Sequence, residues 1–406
     1  MKNDKFIIVD FNCTSTLTHH WSSICSYINF LRPIGSEIEV WIPEYASPEI
    51  IESFYQANKI HAKLQSPQYG PKSFYDYPIA RAFSFFVERI FPEIPSKKLK
   101  NYIKSRFLNY YLRDIQRIIE ENSKNYNVFL VVPTLDYLAF ELTKRLAMRD
   151  IPISISVRRF GSESKSTFAS GNELDQLLAC ARKSKITRVN VGITTLTLLE
   201  ELKSQDEFSK QVFWCPLPPD LVERKEIQEF PNQIKVGFPG AAKKRKGTER
   251  IPEVAQLLEK SGLETVIYFQ KAPYEWDGYQ NTLDRIHSEV KNYVELPSVL
   301  TIEEFSEVFN LMNFVVLPYD SESYSSADSG VLYQSADRHI PIIYTRGCGF
   351  GVEAMKFGIG FELEELSNEN VGSILRKSIS TNFISYNDAR SAATFKFIGF
   401  DQPLHP

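Results

Sequence analysis

The chain has 406 residues, 43% of them hydrophobic and 24% charged, with a formal net charge of -3. That length exceeds what one hydrophobic core usually supports, so two domains are expected, and the near-neutral charge gives no whole-chain reason to expect a nucleic-acid partner. The five cysteines are scattered and never form C-x-x-C, which argues against a disulfide framework or a structural zinc site and fits a reducing cytoplasm.

The opening "MKNDKFIIVDFN" has an apolar core of four residues, too short for a signal peptide, and no later stretch approaches the roughly 20 apolar residues of a membrane span. Apolar, β-branched runs then alternate with helical patterns: "KFIIVD", "EIEVWIP", "VFLVVP" and "ISISV" in the first half, "IKVGFP", "TVIYF", "NFVVLP" and "PIIYT" in the second. Strand alternating with helix predicts parallel α/β sheets, here two Rossmann-like domains facing each other across a cleft. Residues 216 to 231, with four prolines and a run of charges, read as the linker. The expected division is 1–222, 223–385, and a C-terminal helix and tail over 386–406.

In open α/β sheets ligands bind beyond the carboxyl ends of the strands. The first half places three loops there, which bring His19, His20, Asp136, Arg158 and Arg159 forward as an acceptor side, with His20 or Asp136 available as a base. Asp136 reads equally as a helix N-terminal residue. A helical insertion over about 70–125 is expected; within it, residues 81 to 113 carry eight Lys and Arg against Glu88 and Glu93, interleaved with Phe and Tyr. This stretch reads either as a helical insertion whose aromatics pack inward or as a surface for anionic lipid.

The second half opens on "IKVGFPGAAKKRKGTERIPEVAQLLEKSG". Ile234, Val236 and Phe238 alternate as a strand, while Ile251, Val254, Leu257 and Leu258 form one helix face. Between them Pro239 and Gly240 end the strand, Lys243, Lys244, Arg245 and Lys246 follow, and Gly247-Thr248 is expected to open the helix. A basic loop running into a helix N-terminus suits a diphosphate; the alternative is a solvated basic surface. The arrangement recurs in "NFVVLPYDSESYSSADSGVLYQSAD". Ser329 and Gly330 are placed at a helix start, Gly330 leaving room for an anion, and Gln334 lies one turn further on, within reach of a ribose. A serine N-cap with no ligand is the plainer alternative.

The order strand, "PG", basic loop, "KG", helix, then "LPY", "SGV" and "PII" with a glycine loop resembles the nucleotide-sugar half of GT-B glycosyltransferases, particularly family 4, over residues 234 to 361. The resemblance implies donor contacts from Gly240, Lys243, Arg245, Lys246, Gly247, Tyr319, Ser329, Gly330, Val331 and Gln334, with Lys246 on the diphosphate and Gln334 at the ribose. It also implies transfer with retention. The chain departs from the family pattern in two places, losing charge at both: Ala241 stands where an Arg is usual, and Ser326 and Gln334 where a Glu pair is usual. In the first half the family's Gly-Gly loop is absent.

"TRGCGFGVEAMKFGIG" has G-x-G-x-G spacing with no later acidic partner, so it is expected to be the family's flexible loop rather than a site for NAD. No D-x-D occurs and the six histidines are scattered, so no metal and no bound cofactor are expected. The resulting expectation is a cytoplasmic glycosyltransferase of cell-surface polysaccharide or glycoconjugate assembly, using a nucleotide-sugar donor and a glycan or lipid-linked acceptor, with an anionic membrane surface as a further partner. Catalysis would rest on Lys246 and on Asp136 or His20. The rivals are a nucleotide-sugar 2-epimerase and a silent nucleotide-sugar-binding subunit.

Overall fold

The computed structural model describes residues 2–10, 13, 19–34, 37–43, 62–65, 112–113, 115–133, 137–159, 176, 179, 182–203, 212–220, 230–260, 262–378, 381 and 383–399. They divide into two compact units. The first runs to Arg159, resumes up to Val191 and takes the chain again from Phe397; the second spans Gly192–Lys396. The division falls inside a strand, β6.

One sheet has seven strands: β1 (Asn3–Val9), β2 (Glu37–Pro43), β3 (Ala62–Gln65), β4 (Tyr126–Val132), β5 (Ile153–Arg159), β6 (Arg188–Ile193) and β7 (Val212–Trp214), in the order β3-β2-β1-β4-β5-β6-β7. Its central pairs are parallel, Ile7 standing beside Glu39 on one side and Leu130 on the other. Helices α1 (His19–Leu31), α2 (Tyr137–Arg149) and α3 (Leu196–Lys203) alternate with the strands. Ile7, Val9, Leu130, Val132, Ile155 and Val157 lie in one core with Leu142 and Leu146 of α2.

The second sheet contains β8 (Gln233–Phe238), β9 (Glu264–Gln270), β10 (Tyr293–Leu296), β11 (Phe314–Leu317), β12 (Ile342–Tyr344) and β13 (Gly360–Glu362), ordered β10-β9-β8-β11-β12-β13. The helices between and after them are α4 (Ile251–Lys260), α5 (Tyr279–Glu289), α6 (Ile302–Leu311), α7 (Gly330–Asp337), α8 (Gly351–Phe357), α9 (Val371–Ser378) and α10 (Ile384–Ile398). Burial follows side-chain alternation. Phe314 and Val316 enter a core with Ile234, Val236 and Val254, whereas Val315 and Leu317 enter one with Leu332, Tyr344 and Tyr386. A strand apolar on both faces is what a parallel sheet covered on both sides requires.

All eight expected strands are present. Five more, β3, β6, β7, β10 and β13, went unread: they are short or, like "RVNVGI" and "YVEL", mix polar residues into the apolar pattern. The proline-rich stretch is anchored where it is described. Fully buried Arg390 of α10 donates to the carbonyls of Leu217 and Pro218 and pairs with Asp337 at 2.7 Å. Among the described residues no helix is long and apolar enough to cross a membrane. The basic aromatic stretch from 81 to 111 and the tail beyond 399 lie outside the described residues.

Candidate functional site

The second sheet has the strand order 3-2-1-4-5-6 and the first has the same order with a seventh strand added; each reverses direction between its first and fourth strands, and such a switch point opens a crevice at the carboxyl edge. In the second unit the crevice lies between the loop after β8 and the loop after β11.

The first of these loops is built by glycines and two short turns. Gly240 has φ +87°, and a 3-10 turn over Lys244–Lys246 is closed by Gly247 at φ +68°. A second 3-10 turn, Thr248–Arg250, leads into α4, so the helix begins at Ile251 rather than at Gly247 as the sequence suggested. The cause is a close approach: any side chain on Gly247 would collide with the carbonyl of Pro318, and the left-handed backbone that permits this contact cannot start a helix. The Asp320 N–H donates to the Arg245 carbonyl at 3.0 Å, clamping the two loops together. The Arg245 guanidinium lies 5.8 Å from the centre of the Tyr324 ring.

Lys246 folds back over the loop. Its Nζ lies 2.7 Å from where a Cβ on Gly240 would stand, and Val331 Cγ2 lies 3.6 Å from the same point. The ammonium and the first turn of α7, 85 positions apart in the chain, therefore flank one spot. Ser329 is the N-cap of α7 in extended conformation, yet its side chain makes no capping hydrogen bond. Its Oγ is instead 3.3 Å from the Tyr319 hydroxyl. Nothing lies within 4 Å of where a Gly330 side chain would be. Among the described residues the N–H groups of Gly330 and Val331 have no acceptor, while Leu332 and Tyr333 donate to the Ser329 carbonyl.

Beside this spot is a pocket of about 290 Å³, part of it open solvent, whose lining includes Gly240, Lys246, Thr248, Gln270, Pro318 and Tyr319. Gln270 was not foreseen, since a glutamine ending a strand carries no sequence signal. Lys243 is exposed, and its carbonyl accepts from Thr248 Oγ1 at 3.2 Å. Gln334 lies one turn along α7 from Ser329, but its carboxamide oxygen accepts from Arg338 Nη1 at 2.7 Å. That pairing has i,i+4 spacing and was open to sequence reasoning.

The glycine loop is packed. Gly349 is pressed against the backbone of Ser325 and Ser326, its N–H donates to the Tyr324 carbonyl at 2.7 Å, and Gly351 abuts the Tyr344 ring. Behind it Glu353 is fully buried and accepts from the Leu196 N–H, Trp214 Nε1 and the Tyr386 hydroxyl, at 3.1, 3.2 and 2.9 Å. Burial pushes its carboxyl up to about 7 against these hydrogen bonds.

In the first unit, His19 and His20 open α1, Arg158 is fully buried near the end of β5, and Arg159 is the last residue of that strand. Asp136 lies outside the described residues. Among the described residues no group of three or more His, Cys, Asp or Glu could hold a metal ion.

No protein-family model and no curated protein matches the chain. Solved structures do resemble it. A Listeria monocytogenes protein assigned as a UDP-N-acetylglucosamine 2-epimerase superposes with a TM-score of 0.54 at 11% identity, covering 97% of this chain and 94% of that one. The N-terminal domain of Candida albicans trehalose-6-phosphate phosphatase gives 0.52 at 10% identity, over 98% and 93%. A UDP-glucosyltransferase from Polygonum tinctorium gives 0.51 at 11%, over 99% of both chains. Likeness at such identities defines the fold: the chain has the two Rossmann-like α/β units of the GT-B class.

Proposed function

We propose that the chain is a glycosyltransferase that transfers a sugar from a nucleotide-diphosphate donor to a glycan or lipid-linked acceptor. The observation that carries this reading is the meeting of the Lys246 ammonium and the uncapped first turn of α7 beside Gly240. Cleavage of a sugar-diphosphate bond leaves negative charge on the departing diphosphate. A fixed cation and aligned N–H groups stabilise that charge more in the transition state than in the ground state. Lys246, Gly240, Gly247, Ser329, Gly330 and Val331 would hold the diphosphate, with Lys243 and Arg245 adding positive potential. The named activity of the Polygonum tinctorium neighbour is consistent with a UDP-sugar as donor.

The first unit would take the acceptor, with His19, His20, Asp136, Arg158 and Arg159 as its candidate groups. Retention of configuration, independence of metal, and work at the cytoplasmic face of a membrane complete the proposal; the basic stretch from Arg81 to Arg113 would meet anionic lipid there. A second reading, a nucleotide-sugar-binding subunit without turnover, is favoured by one observation: the Gln334 carboxamide oxygen is committed to Arg338.

The test is a panel of nucleotide sugars incubated with and without candidate acceptors, in excess EDTA. Acceptor-dependent release of nucleoside diphosphate supports the transferase. An isomerised nucleotide sugar formed without acceptor supports the epimerase rival, and binding without turnover supports the silent subunit.

A further inference from the structure

Tyr319 lies just after β11, beyond Pro318, and is 3% exposed, wedged between the rings of Tyr324 and Phe350 at centroid distances of 4.4 and 5.9 Å. Among the described residues its hydroxyl has one hydrogen-bond partner, Ser329 Oγ, at 3.3 Å. A buried phenol O–H without an acceptor is costly, so the donor in this pair is the tyrosine. Burial also pushes the phenol well above its ordinary pKa and keeps it protonated.

This contact changes what Ser329 can do. A serine at an N-cap ordinarily turns its oxygen onto the second or third N–H of its own helix and satisfies it. Here the oxygen is turned to Tyr319 and the cap bond is missing. Two consequences follow. The N–H groups at the start of α7 are left for a ligand, and Ser329, having accepted a hydrogen bond from Tyr319, keeps its own O–H to donate. Ser329 is 5% exposed, and the open space at Gly330 lies next to it.

We infer that Tyr319 is a positioning residue that holds Ser329 off its own helix, making it a hydrogen-bond donor to a phosphoryl oxygen and keeping the α7 N-terminus uncapped for that anion. This rests on the donor-site reading above.

The experiment measures binding of UDP and of inorganic pyrophosphate to the wild type, Tyr319→Phe, Ser329→Ala, the double variant and Lys246→Met, with a thermal melt of each. Phenylalanine keeps the ring packing and removes only the hydroxyl. Tyr319→Phe is expected to melt no lower than wild type, because Ser329 is released to cap the helix, and to bind about tenfold more weakly, as for loss of one charge-assisted hydrogen bond. The double variant is expected to bind no more weakly than Ser329→Ala, because Tyr319 acts through that hydroxyl. Wild-type affinity in Tyr319→Phe alongside weak binding by Lys246→Met would overturn the role of Tyr319 and leave the donor site standing, as would full additivity of the two hydroxyl losses. Failure of the wild type to bind either probe would overturn both.

Discussion

The Gly247 backbone is packed against the Pro318 carbonyl so closely that no side chain fits between them, and this contact joins the basic loop to the loop that ends at Ser329. Gly262, at φ +79°, has nothing within 4 Å of its missing side chain, against φ +68° and no space at Gly247. The two positions separate backbone strain from packing. Gly262→Ala should cost about 1 kcal/mol, the left-handed penalty alone. Gly247→Ala should cost at least about 2 to 3 kcal/mol, because the loops must also part. Denaturant unfolding of both variants checks the difference, and only Gly247→Ala should also weaken nucleotide binding.

Gln334 and Lys246 are asked for different work. Gln334 is neutral and already bonded to Arg338, so Gln334→Ala should raise KM by roughly two- to twelvefold, the equivalent of about 0.5 to 1.5 kcal/mol, and leave kcat nearly unchanged. Lys246→Met removes charge that acts on the leaving diphosphate, and should lower kcat by about 10²- to 10³-fold. Steady-state kinetics with the best donor of the panel would read both.

Glu353 gives stability a pH dependence of known sign. Its carboxyl, raised to about 7 by burial, binds a proton more tightly in the folded than in the unfolded chain. Its contribution is therefore full below about pH 4.5 and is lost as pH rises through 7. Asp328 adds to the upward shift. Glu353→Gln removes the titration, so its stability relative to wild type should rise by about 2 to 3 kcal/mol between pH 5 and pH 8. Paired melts at the two pH values measure it; a constant difference would contradict the assignment.

Asp150 works in the opposite sense. It holds φ +52° and accepts from Ser184 Oγ and from the N–H groups of Lys185, Ile186 and Thr187, which hold its carboxyl down at about 2. The stability it adds is present above about pH 4 and is lost as pH falls through 2. Asp150→Ala should melt below wild type at pH 7, and the gap should close at pH 2.

The alternating apolar runs made the sheets legible, because a strand buried on both faces, such as "FVVL", has few other readings. Strands that share their pattern with loops, such as "GFE" at 360–362, were not. The loop chemistry was half legible. The basic run and the Ser-Gly step are local, but their meeting at Gly240 joins positions 85 residues apart and is fixed only by the order of β8 and β11 in the sheet. Glu353 lies in the "GVEAMKFG" helix with nothing local to mark it as buried, since its three donors come from residues 196, 214 and 386. The three loop glycines had two readings, and the tight contacts of Gly349 with Ser325 and Ser326 and of Gly351 with Tyr344 depend on neighbours that spacing does not reveal.

On the proposed function, the basic loop and the α7 N-terminus together hold a nucleotide diphosphate. Calorimetric titration of UDP into the wild type and Lys246→Met, with thermal melts confirming that both are folded, tests it most directly. Saturable binding by the wild type is expected, weakening at least about tenfold in Lys246→Met, the loss expected of one charge-assisted contact. Equal affinity in the two proteins, or bound nucleotide located in the first unit, would contradict it.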